Sequence, residues 1–143
     1  MGRGFTIIEL LIVMALIALL ASLVLATIGS TRERSRDARR EADIKEIQNA
    51  LDLYSVTNRA FPICASEVVI NGESDCLSVQ LIAVGAAGQV ATDPSGKASG
   101  VCGNPANYVY CYVSDGRTYE LRYNLETSSI PGKLTGWQPP VKP

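Results

Sequence analysis

The chain has 143 residues, a formal net charge of -1, four cysteines and no histidine. A charge this close to neutral gives no reason to expect nucleic-acid binding through bulk electrostatics. Without histidine the commonest general base and the commonest metal ligand are missing, and neither a Ser-His-Asp nor a Cys-His constellation can form within the chain.

The first element is an apolar run, residues 5–28, with Glu9 as its one charge. About 20 apolar residues suffice for a helix to cross a bilayer core, so this run is long enough. It exceeds the 7–15 residues or so of a signal-peptide apolar region. Neither Ala21-Ser22-Leu23 nor Ala26-Thr27-Ile28 offers a good A-x-A cleavage site. We expect a retained helix. Glu9 inside it is costly and marks a function if a partner exists. Arginine counts on the two sides, Arg3 against Arg32, Arg34, Arg36, Arg39 and Arg40, put the C-terminal part in the cytoplasm by the positive-inside rule. The cysteines argue for the opposite orientation.

Residues 32–57 read as helix, with Gly29-Ser30-Thr31 as the interruption before them. The stretch from Arg32 to Glu46 mixes charge signs, as like-charged i, i+4 pairs such as Arg36/Arg40 sit beside the favourable Glu41/Lys45. It is either a solvated helix face or a surface for neighbouring copies. Ile44, Ile47, Leu51 and Tyr54 then recur at helical spacing as an apolar stripe that should lie on a core. The helix should stop near Asn58, because the residue before Pro62 is pushed out of the helical region.

Leu77, Leu81 and Ile82 suggest a short helix within an otherwise unassigned 62–92. Four cysteines beyond an apolar segment suggest disulfides. Of the three pairings, Cys64–Cys76 and Cys102–Cys111 close the short local loops. The strongest strand signal is Tyr108–Val113, followed across Asp115-Gly116 by Tyr119–Leu125. Asp-Gly between alternating runs predicts a two-residue hairpin loop. That register sets Tyr112 opposite Tyr119, Tyr110 opposite Leu121 and Tyr108 opposite Tyr123, all facing the helix stripe. Val109 and Cys111 then face outward. Residues 133–137 offer a further strand, and 138–143 should be irregular. The tyrosines are taken as core rather than as a stacking platform for single-stranded nucleic acid, and Asp93, Asp115 and Glu120 as surface and turn acids rather than acid–base catalysts.

Gly4 followed by Phe5-Thr6-Ile7-Ile8-Glu9 and the long apolar helix resembles the class III signal of type IV pilins and type II secretion pseudopilins. Asn58–Pro62 resembles the family's helix end, and Asp93-Pro94 before an aromatic hairpin resembles its globular part. The resemblance implies an α+β fold: a long N-terminal helix, apolar then amphipathic, packed on a small antiparallel sheet with an irregular tail. Its parts would be a leader 1–4, an assembly or transmembrane half-helix 5–28, an amphipathic half-helix 29–57, and a head 58–143 with an αβ-loop and the hairpin 108–125. A prepilin peptidase would cut between Gly4 and Phe5 and methylate the Phe5 nitrogen. Glu9 would then pair with the freed Phe5 amine of a subunit already in the polymer. Before assembly the subunit would sit in membrane lipid, its N-terminus in the cytoplasm and its head outside. An inner-membrane platform and its ATPase would then build the filament.

The cysteines favour a pilin forming an extracellular fibre for adhesion, twitching motility or DNA uptake. The alternative is a major pseudopilin forming a short periplasmic filament for protein export. Both are non-enzymatic, and neither reading calls for a cofactor or for nucleic acid as a direct partner; a calcium loop would favour the pseudopilin, but no metal site is assigned. Two departures stand out. Ala26 occupies the place of a helix-bending proline found in many pilins, and the calcium ligands of some major pseudopilins find no legible counterpart, with only Asp115 and Glu126 available.

Overall fold

The structure is a computed structural model that describes residues 6–96 and 100–143, with backbone alone at 23–27. Gly4 and Phe5, the expected cleavage and methylation positions, lie outside the described residues. The chain divides into two compact units, 1–33 and 34–143.

One helix, α1, runs Ile7–Asn58 without a break at Gly29. In the first unit every large apolar side chain from Ile7 to Leu20 is exposed, from 46% at Val13 to 81% at Ile7. That segment is apolar all round, as a helix is when its surroundings are apolar rather than aqueous.

The second unit is an α+β head built on residues 34–58 of α1. After the helix come β1 (Cys64–Val69), α2 (Cys76–Ala83), β2 (Cys111–Ser114), β3 (Tyr119–Arg122), β4 (Asn124–Leu125) and β5 (Gly136–Trp137). Strands β1, β2 and β3 form an antiparallel sheet in that order, and β4 pairs with β5. Ile44, Ile47, Ala50 and Leu51 are buried against Leu77, Leu81, Tyr110, Tyr112, Tyr119, Leu121 and Tyr123. Each fully buried aliphatic side chain contributes about 1.5–3 kcal/mol, so this contact dominates the stability of the head. Tyr54 closes the stripe half-buried, with its hydroxyl 3.4 Å from Gln80 Oε1.

Strand β1 was not among the predicted elements. Cys64-Ala65-Ser66-Glu67 does not alternate, and the strand is an edge that pairs with β2 through an irregular register. Two disulfides staple the head, Cys64–Cys76 across the starts of β1 and α2, and Cys102–Cys111 from a loop to β2. Asp75 caps α2, accepting from the Leu77 and Ser78 amides at 3.0 and 2.9 Å. Its other oxygen accepts from Asn71 and Gly72, closing the Asn71-Gly72 turn. Gly72 sits at φ 86° with its α-carbon so close to the Val90 carbonyl that a β-carbon would lie 2.9 Å from it.

The hairpin departs from the two-residue expectation. Ser114 pairs with Tyr119 and Tyr112 with Leu121, so the loop holds four residues, 115–118. Asp115 explains the longer loop. Its Oδ1 accepts from the amides of Arg117 at 2.9 Å and Thr118 at 2.8 Å, and Ser114 Oγ accepts from Gly116. Side-chain acceptors of this kind stabilise a wider turn. Because the register slips by two residues, the same tyrosines still face the core.

Three further expectations are corrected. Tyr108 lies outside the hairpin, half-buried under the Arg40 guanidinium at 4.8 Å from its ring centre. Val109 and Cys111, expected on an open face, are buried, and the loop at 100–107 packs on Val109. The tail is not irregular throughout. Val141 exchanges backbone bonds of 2.9 and 2.8 Å with Leu121, and the Gln138 amide donates to the Tyr123 carbonyl.

Candidate functional site

The apolar helix begins at a closed cap. Thr6 precedes Ile7, the first helical residue, and Glu9 is the third. The Thr6 amide and hydroxyl donate to Glu9 Oε2 at 3.1 and 2.9 Å, and the Glu9 amide donates back to Thr6 Oγ1 at 3.3 Å. This is a reciprocal capping box, which satisfies amides that a helix start leaves open. Thr6-x-x-Glu9 is its sequence signature, so this role is legible in the sequence beside the assembly role that the family resemblance implies for Glu9. Among the described residues no helix is long and apolar enough to cross a membrane. Side chains are described up to Ser22, and the sequence continues Leu23-Val24-Leu25-Ala26.

In the head, the charged half of the helix is neither solvated throughout nor reserved for other copies. Asp37, Arg40 and Asp43 are buried. Arg40 is fully buried and meets three carboxylates from three segments. Its Nε and Nη2 form a fork on Asp93 at 2.6 and 3.1 Å. Its Nη1 reaches Asp37 at 2.7 Å and Glu126 at 2.7 Å. Burial pushes the Arg40 guanidinium towards losing its proton, but the Asp93, Glu126 and Asp37 carboxylates outweigh that and raise its pKa. Arg36 also binds Glu126, with its Nε at 2.8 Å. That hydrogen bond, against the opposing effect of burial and with help from Arg40, lowers the Glu126 pKa.

The same face carries on down the helix. Asp37 accepts from the Glu126 and Thr127 amides at 3.0 and 2.8 Å and from the Thr127 hydroxyl at 2.7 Å. Glu41 accepts from Lys133 Nζ at 2.6 Å and from the Tyr123 hydroxyl. Asp43 accepts from the Tyr110 hydroxyl at 2.8 Å. Burial raises the Asp43 pKa, partly offset by that bond. Burial also raises the Tyr110 pKa, and the Asp43 contact adds to the rise. Residues 37, 40, 41 and 44 stand at i, i+3, i+4 and i+7, so the head-facing stripe continues upstream of Ile44 in charged residues. Sequence reading missed this because it followed hydrophobicity alone. It also took Asp93 for a surface or turn acid, whereas its side chain is buried on Arg40.

Asp115 and Glu126 do not fit a calcium site. The Asp115 carboxylate is taken up by its own turn, whose amides at Thr118 and Arg117 lower its pKa. Glu126 lies against two guanidinium groups, which repel a cation. The one acid–cysteine cluster among the described residues, Glu67 with Cys102 and Cys111, offers no thiolate because the two sulfurs are bonded to each other.

Residues 2–25 match the family model described as the prokaryotic N-terminal methylation motif. The match covers the N-terminal segment alone. The chain is similar to the type II secretion system core protein G of Escherichia coli K12, 37% identical over 60 residues, or 42% of this chain and 41% of that protein. The protein of the same name from Aeromonas hydrophila is 34% identical over 59 residues, 41% of each chain. The one from Pseudomonas aeruginosa is 37% identical over 59 residues, 41% of this chain and 42% of the relative. The chain thus spans about two fifths of the length of these curated relatives. No solved structure gives a significant match.

Proposed function

We propose that this chain is a non-enzymatic filament subunit of the pseudopilin type, assembled through its N-terminal helix into a short periplasmic filament of a protein-export machine. One observation carries the reading. A capped helix segment apolar on every side lies within the residues that match the methylation motif, and such a surface is stable only in lipid or among other helices. The relatives' name, type II secretion system core protein G, supports export over a surface fibre. That favours the alternative over the extracellular pilus expected from the cysteines. The pilus remains the second reading, favoured by the two disulfides in the head.

In this reading a prepilin peptidase removes residues 1–4 and methylates Phe5. The subunit waits with residues 5–28 across the inner membrane, its head outside. An assembly platform and its ATPase draw it into the homopolymer. Glu9 then exchanges its bonds with Thr6 for the charged amine of a neighbouring Phe5. A buried carboxylate is tolerable when paired and costly when alone, so entry into the filament gains a charge pair and helix packing together.

The test has three parts. Mass spectrometry of assembled protein should find methylated Phe5 at the N-terminus, and retention of Met1 would exclude processing. Glu9→Ala should leave subunits in the membrane but unassembled, and normal filaments from it would remove Glu9 from assembly. Shearing of cells at native expression should release no long filaments, since long filaments mean a pilus.

A further inference from the structure

A groove of about 580 Å³ opens in the head between the exit of α1 and the hairpin loop. Its walls are Arg59, Arg117, Ser55 and Asp115, and Ala60, Phe61 and Ile63 form an apolar floor. The floor is fixed. The Phe61 amide donates to the Gly116 carbonyl at 2.9 Å, and the Phe61 ring stands edge-on to Tyr119 at 4.9 Å. Gly116, at φ 89°, lies so close to the floor that a β-carbon would fall 3.0 Å from Ile63 Cγ1.

Arg59 is the unexpected residue. It ends α1 at φ 57°, the only non-glycine residue at positive φ among those described, with its amide on the Ser55 carbonyl at 2.8 Å. Glycine ordinarily takes this helix-ending position because a β-carbon there is strained. The arginine side chain returns nothing to the fold. It is exposed, and among the described residues neither its guanidinium nor that of Arg117 has an ion-pair or hydrogen-bond partner. The nearby Asp115 carboxylate is engaged by turn amides. Strain kept for an unpartnered side chain points to a role outside the fold.

We propose that this groove binds an acidic peptide segment of a partner protein, with carboxylates on Arg59 and Arg117 and an apolar side chain on Phe61 and Ile63. Guanidinium forks match carboxylate geometry, and the floor takes what a purely polar anion would leave uncovered. Nucleic acid fits less well. The chain carries a net charge of -1, and Tyr110, Tyr112, Tyr119 and Tyr123 are buried, leaving no stacking platform. The inference does not depend on which filament the subunit builds.

The test uses the full chain in detergent micelles and a fluorescent peptide of alternating glutamate and leucine. Alternating glutamine and leucine, inorganic phosphate and oligothymidylate are the competitors. The acidic peptide should bind and weaken with salt. Arg59→Gln and Arg117→Gln should each cost about tenfold in affinity, within the range of one charge-assisted bond, whereas Arg39→Gln should change nothing. Arg59→Gly should raise the melting temperature while losing the peptide, an outcome that a purely structural arginine would not give. Equal binding of the neutral peptide, unchanged binding in both arginine variants, or preference for oligothymidylate would overturn the proposal. So would a fall in melting temperature for Arg59→Gly, or Arg59-dependent dimers, which would assign the groove to a second copy.

Discussion

Replacing Arg40 with methionine tests whether a buried charge network fastens the helix to the head. Methionine keeps much of the stem's volume but removes the guanidinium. Asp37 and Asp93 then lose a cation within 2.7 Å, and Glu126 keeps only Arg36. Removing one partner from a buried ionic group costs about 3–5 kcal/mol, because the remaining charges stay buried without compensation. A domain of this size has a total stability of about 5–15 kcal/mol, so the loss is a large fraction of the whole. It corresponds to a fall in melting temperature of about 12 °C or more. Urea unfolding followed by Trp137 fluorescence, with the disulfides intact, measures it. The exposed Arg39→Met serves as the control and should stay within about 0.5 kcal/mol. A change below about 1 kcal/mol at pH 7 would refute the view that this network holds the head on the helix.

Tyr110→Phe removes the phenol from Asp43 and should cost about 1.5–3 kcal/mol at neutral pH, the value of a bond to a charged group. Asp43 has a raised folded pKa, so its favourable contribution is full below its ordinary 3.8 and is lost as pH rises through the folded value. Without the phenol that pKa rises further, and the destabilisation measured by urea at pH 7 should exceed that at pH 3. Glu126 behaves in the opposite sense. Its pKa is lowered, so its contribution is present above its ordinary 4.5 and is lost as pH falls through the folded value; Glu126→Gln should therefore flatten the acid limb of the stability curve. Opening Cys64–Cys76, which spans a separation of 12 residues, by a double alanine substitution should cost about 2–4 kcal/mol in calorimetry. Calcium or a chelator should leave the melting temperature of the head unchanged, because Asp115 and Glu126 are already engaged within the chain.

The sequence by itself determined what depends on near neighbours. A continuous apolar run, a helical stripe from Ile44 to Leu51 and the alternating tyrosines each carry their period in a few consecutive residues. That is enough to set the α+β class and the faces that meet in the core. The Thr6-x-x-Glu9 cap was equally local. Only the tertiary structure decided which partner each polar group takes. Arg40 finds Asp93, 53 residues away in sequence, and Leu121 binds the tail at Val141. Such pairings depend on loop closures that no short pattern encodes. The hairpin register fell between the two cases. Its faces were legible because alternation has a period of two. Its loop length was set by an acceptor on Asp115, whose competition with a tight turn shows only once the backbone is in place.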